Sequence, residues 1–166
     1  MNGQLVFDLL AAPAEESIRR LLDDEATVFW VDWREEDDAI VDACETVLAT
    51  GELAGELVET DSDEGFEVYV RYGKTRLRVP LTFSGADRHV TLLTLNEALS
   101  PDFEVRFCRD SAGSDTLAFL PLPVPLWDDL ERRFGGEVGR RFARLAARPN
   151  LFTDEIPASG EHEPMP

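Results

Sequence analysis

The spacing of apolar residues changes repeatedly along the chain, and each change marks an element. From Ala14 to Asp24, Ile18, Leu21 and Leu22 fall on one side of a short helix, and Thr27 to Trp33 is β-branched and aromatic, as a strand is. From Glu35 to Thr50, Ile40, Val41, Cys44, Val47 and Leu48 recur at helical spacing, with Glu35, Glu36, Asp37 and Asp38 at the positive end of the helix dipole and Gly51 as a stop. A short charged strand over 55–60 leads into a hairpin. There Phe66, Val68, Val70 and Tyr72 alternate with Glu67, Tyr69 and Arg71, and beyond Gly73-Lys74 the residues Leu77, Val79 and Leu81 alternate with Arg76, Arg78 and Pro80. Residues 87–99 form an apolar helix carrying Val90, Leu92, Leu93, Leu95 and Leu99, closed before Pro101. A second hairpin pairs 103–108 with 116–122 across the turn at DSAGSD, and a final helix spans 125–147 with a break at Gly135-Gly136.

Two stretches look alike. FEVYVR at 66–71 and FEVRFCR at 103–109 are each followed by a strand ending in Pro-Leu and then by a helix. Two such ββα units predict an α+β protein: an antiparallel sheet of about five strands with helices packed mainly on one face. One domain over 1–148 is expected, with 1–34 as a helix-strand extension and 149–166, which holds Pro149, Pro157, Pro164 and Pro166, as a disordered tail.

Charge adds an asymmetry that the apolar pattern does not show. The 166 residues hold 34 Asp and Glu against 16 Lys and Arg, a formal net charge of -18. Residues 1–67 carry 20 of the acids and only 3 of the bases. Such a balance argues against nucleic acid as a partner, because phosphate binding depends on Lys and Arg, and it leaves a basic protein open. No apolar run is long enough to cross a bilayer, and the opening MNGQLVFDLLAAPAEES lacks the basic region of an export signal, so the expected compartment is the cytoplasm. Cys44 and Cys108 are then expected to be reduced and buried.

Candidate chemistry is sparse. Ser84, Asp87 and His89 are the parts of a hydrolase site, but no nucleophile elbow surrounds Ser84, and Ser84 or Asp87 serves more simply as a cap for the following helix. His89 and His162 are the only histidines, no metal-ligand spacing occurs, and the acidic stretch Asp61, Asp63, Glu64 places Gly65 one position short of a calcium loop. No glycine-rich phosphate loop follows a strand. No catalytic residue, metal or cofactor is therefore assigned.

Two surfaces suit a protein partner. Alternation in the hairpins places Tyr69, Arg71, Arg76, Arg78 and Arg106 on the sheet face away from the core, where rings and guanidinium groups favour interfaces. In VFWVDW, Phe29, Trp30 and Trp33 put aromatics on both faces of one strand, so one face needs cover from this chain or another. Asp37, Asp38, Asp42 and Glu45 would supply charge complementarity beside the Trp30 or Trp33 anchor.

The order helix (35–50), strand, hairpin (66–81), helix (87–99), hairpin (103–122), helix (125–147), carried by FEVYVRY, RLRVPL, FEVRFCR and TLAFLPL, resembles the class I type III secretion chaperones and the related YbjN-like fold. The resemblance implies a homodimer, with the helix around Leu92, Leu95 and Leu99 as a dimer element, that binds an extended segment of a secreted protein without catalysis. The expectation is thus a non-catalytic protein that masks another, as an immunity-type inhibitor of a basic toxin or as a secretion chaperone. The alternatives are a regulatory module holding a small ligand between sheet and helices, and a small hydrolase at Ser84, Asp87 and His89.

Overall fold

The computed structural model describes residues 3–61, 63 and 65–156. Five α-helices and seven strands follow one another as α1 (Gly3–Ala11), α2 (Glu15–Leu22), β1 (Phe29–Asp32), α3 (Asp37–Leu48), β2 (Leu53–Glu59), β3 (Phe66–Tyr72), β4 (Thr75–Arg78), α4 (Asp87–Leu99), β5 (Phe103–Cys108), β6 (Thr116–Pro123), α5 (Val124–Arg141) and β7 (Phe142–Arg144). The class is α+β, but the strands do not form one sheet of five. They make a four-stranded sheet in the order β1-β6-β5-β7 and a three-stranded sheet in the order β2-β3-β4, antiparallel throughout.

The four-stranded sheet is covered on both faces, which corrects the expectation of helices mainly on one side. Toward one face β5 and β6 send Val105, Phe107, Leu117 and Phe119, which join Phe29 and Val31 of β1 in a core with Ile40, Val41 and Cys44 of α3, Leu92, Leu95 and Leu99 of α4, and Val68 and Val70 of the smaller sheet. Toward the other face the same strands send Cys108, Ala118, Leu120 and Leu122 against Val6, Leu9 and Leu10 of α1, Leu21 of α2, and Trp127, Leu130 and Val138 of α5. An alternation with both sets buried produces the nearly unbroken apolar run of β6, because a strand between two covered faces has no solvent side. In the three-stranded sheet only one face is covered, and Phe66, Val68 and Val70 there alternate with the outward Glu67, Tyr69 and Arg71.

Close packing fixes β2 to α3. The Gly55 N–H donates to Asp42 Oδ1 at 3.1 Å, and a Cβ at residue 55 would lie 2.4 Å from the Asp38 carbonyl oxygen. Glycine is required there by this approach of two backbones.

Three expectations change at the ends of elements. Helix α1 was not foreseen, although Val6, Leu9 and Leu10 occupy one helical face. The last helix departs from helical geometry at Phe134 (φ -131°) and ends at Arg141. Residues 142–144 then pair with the outer edge of β5, where unpaired backbone groups await a strand. Residues 149–156 are not a free tail: Leu151 is in the first core, Phe152 stacks on Phe119 at 6.4 Å between ring centroids, and Asn150 Nδ2 donates to the Ala86 carbonyl at 3.1 Å. The remainder of the expected tail, 157–166, lies outside the described residues.

Candidate functional site

Strand β1 is an edge strand, and Trp30 within it and Trp33 just after it are among the most exposed large apolar side chains described. Phe29 and Val31 enter the core, while Trp30 and Trp33 stay 38% and 42% exposed. Neither is loosely mounted. Trp30 Nε1 donates to the Leu22 carbonyl at the end of α2 (3.2 Å). The Trp33 backbone is pinned at both groups: its N–H donates to the Asp115 carbonyl at 3.1 Å and its carbonyl accepts from Arg88 Nη1 at 3.2 Å. Asp32 lies between them, accepting from the Arg34 N–H and from Thr116 Oγ1, both at 2.9 Å, bonds that lower its carboxyl below the usual range. The Trp30 ring, held by its own N–H, loses little side-chain freedom on binding.

Acids neighbour both tryptophans in the sequence. The turn from α2 into β1 supplies Asp23 and Glu25, and the turn from β1 into α3 supplies Glu35 and Glu36. Among the described residues these four side chains form no hydrogen bond or ion pair within the chain. By contrast, the acids predicted to carry the interface are largely used internally. Asp37 is buried, accepting from Arg88 Nε (2.8 Å), Arg88 Nη2 (2.7 Å) and Thr91 Oγ1 (2.8 Å), so it clamps α3 to α4 and is not a contact residue. Glu45 folds over the end of α3 to accept from the Thr50 N–H (2.6 Å), Thr50 Oγ1 (2.7 Å) and the Gly51 N–H (3.2 Å), satisfying donors of the turn that follows the helix. Asp38 turns Oδ1 inward, where it meets no donor among the described residues, and Asp42 is exposed but bonded to Gly55.

The predicted arginine face divides in two. Tyr69, Arg71, Arg76 and Arg78 do share the open face of the three-stranded sheet, with Tyr69 opposite Arg78 and Arg71 opposite Arg76. The face satisfies itself: the Arg76 guanidinium lies 3.7 Å from the Tyr69 ring centroid, Tyr69 Oη donates to Glu67 at 2.6 Å, Glu56 pairs with Arg71 and Arg76, and Glu67 pairs with Arg78. Arg106 is elsewhere. It is 2% exposed in the other sheet, 4.2 Å from the Trp127 ring centroid, and bonded to Glu104 (2.9 Å) and Glu131 (2.8 Å). Both faces of the four-stranded sheet are covered, so the outward position assumed for Arg106 is an interior one.

Ser84, Asp87 and His89 do not form a relay. Asp87 accepts from the Thr82 N–H (2.8 Å), Thr82 Oγ1 (2.7 Å) and the Phe83 N–H (2.7 Å), anchoring the loop before α4 and holding Phe83 at φ +58°. Ser84 Oγ bonds to Thr82 Oγ1 at 2.7 Å. His89 is buried, donating from Nε2 to the Ala146 carbonyl at 2.6 Å and accepting at Nδ1 from the Leu151 N–H at 3.4 Å. A ring with both nitrogens committed to the backbone fastens 146–151 and has neither a nucleophile to activate nor an acid behind it. No group of three metal-ligating side chains occurs among the described residues. Nor is any described helix long and apolar enough to cross a membrane.

The helix proposed as a dimer element is likewise internal, with Leu92, Leu95 and Leu99 fully buried in the first core. Compared with known proteins, the chain matches no family model, no curated protein and no solved structure.

Proposed function

We propose that this protein binds and masks a basic protein partner through the surface at β1, with Trp30 and Trp33 as anchors and Asp23, Glu25, Glu35 and Glu36 as the charged rim. The observation that carries this reading is the pair of exposed tryptophans on a backbone held by hydrogen bonds, near in sequence to acids whose side chains have no partner among the described residues. Large rings bury area on binding, and the acids speed encounter with a positive surface and reject a negative one. Two settings use such a mask: inhibition of a basic toxin, and chaperoning of a secreted segment. Function by masking needs no catalytic group, in keeping with the engagement of Ser84, Asp87 and His89 in structure.

The test is affinity capture with the tagged protein at low and high salt, beside Glu25→Gln/Glu35→Gln/Glu36→Gln. One basic protein, retained at low salt and lost both at high salt and from the variant, is the expected result. A folded toxin identifies the inhibitor and a secreted chain the chaperone. Retention indifferent to salt and to the three acids would remove the electrostatic part of the proposal.

A further inference from the structure

A cleft lies at the other end of the sheet order from β1, beneath the kink of α5. A cavity of about 410 Å³ opens between the second half of that helix and β7, lined by Arg106, Arg109, Arg144, Glu131, Val138 and Phe142. Gly135 and Gly139 also line it and bring no side chain to fill it, and a Cβ built on either meets nothing within 4 Å. The volume is in the range of small-molecule sites.

Its charge is the reverse of the chain's. Three guanidinium groups face one carboxylate in a protein of formal net charge -18. Arg106 is fixed at the floor, with three N–H groups on Glu104 and Glu131 and its plane against Trp127, and two of its five donors are without a described partner. Arg144, opposite Arg106 in the β5–β7 register, also reaches Glu131 at 3.1 Å. These bonds hold the Glu131 carboxyl below its usual range, first through Arg106 and then through Arg144, so it stays ionised and both arginines stay oriented. Arg109 donates from Nε to the Gly139 carbonyl at 3.2 Å, which fixes the guanidinium at the rim while its terminal nitrogens have no described acceptor.

We infer that this cleft binds a small organic anion, its carboxylate or phosphate head on Arg109 and Arg144 and a short apolar body against Val138 and Phe142. Oriented guanidinium groups recognise planar or tetrahedral oxyanions through paired charge-assisted hydrogen bonds, and the surplus of donors over acceptors here calls for such a group. An open cleft of this size on an acidic chain fits a small molecule and not a nucleic-acid backbone.

The experiment follows the arginine Nε–Hε resonances by NMR while the ¹⁵N-labelled protein is titrated separately with hexanoate, inorganic phosphate and hexanol. Resonances of Arg109 and Arg144 are assigned from Arg109→Gln and Arg144→Gln, both outside the buried core. Saturable shifts of the Arg109 signal with an anion, weakened at least about tenfold in Arg109→Gln/Arg144→Gln by loss of charged hydrogen bonds, are expected, with the variant still melting cooperatively. A response to hexanoate alone assigns carboxylates, to phosphate alone phosphates, and to both the shared oxyanion chemistry. No saturable shift with either anion, equal affinity in the double variant, or hexanol binding as well as hexanoate would overturn the inference.

Discussion

Replacing Asp37 by Asn tests whether the acid at the start of α3 is a structural clamp or part of a docking surface. The carboxylate receives three hydrogen bonds, two from one guanidinium and one from Thr91, and is 7% exposed. Asn preserves the shape but removes the charge and turns one acceptor into a donor that faces Arg88 Nη2. Breaking a buried ion pair costs about 3–5 kcal/mol. Arg88 keeps its bond to the Trp33 carbonyl and has a side chain 16% exposed, which places the loss near the lower end, about 3 kcal/mol. With a urea dependence of about 2 kcal/mol per molar, the midpoint of unfolding should fall by about 1.5 M. Asp42→Asn, at an exposed position with one bond to Gly55, should cost under about 1 kcal/mol. Urea titrations followed by circular dichroism measure both. Equal midpoints for the two variants would refute the clamp, and a double-mutant cycle with Arg88→Met should assign the energy to the pair.

Other consequences follow from single sites. Gly55→Ala should destabilise the fold by about 1–3 kcal/mol, because the added Cβ meets the Asp38 backbone and no side chain can move to relieve it; thermal melting shows this. The thiols of Cys44 and Cys108 are buried and burial raises both titrations, so a thiol reagent should react with neither in the native protein and with both in denaturant. Tyr72 is pushed up to about 12, first by burial and then by its hydrogen bond to the Asp102 carboxylate. Its folded value exceeds the unfolded value of about 10, so its contribution to stability is complete below pH 10 and is lost as the pH rises toward 12. Ultraviolet titration should show no tyrosinate from Tyr72 at pH 10 in the folded state.

Periodicity is local information, and it located most elements while leaving their arrangement open. The alternation in 66–72 and 103–108 marks both as strands, yet it does not say that the second set of positions in 103–108 faces another layer. Arg106 shows the reason: an arginine reads as solvent-facing unless the sequence also reveals Glu104 of its own strand and Trp127 and Glu131 of α5 converging on it. The unbroken apolar run of β6 carried the signal of two-sided burial. Likewise, Asp37 and Glu45 read as helix-dipole or surface acids because their partners, Arg88 and the turn at 50–51, become neighbours only in the fold. Trp30 and Trp33 were legible as surplus aromatics, since one strand cannot bury rings on both faces without a second layer at its edge.

The most direct measurement compares the amount of partner captured by the wild-type chain, by Trp30→Ala/Trp33→Ala, and by Tyr69→Ala/Arg76→Ala on the open face of the smaller sheet, with each variant first shown to melt cooperatively. Capture of one basic protein by the wild type and the sheet-face variant, with its loss from the tryptophan variant, is the predicted result. Capture that survives the removal of both tryptophans and disappears with Tyr69 and Arg76 would contradict the placement of the interface at β1.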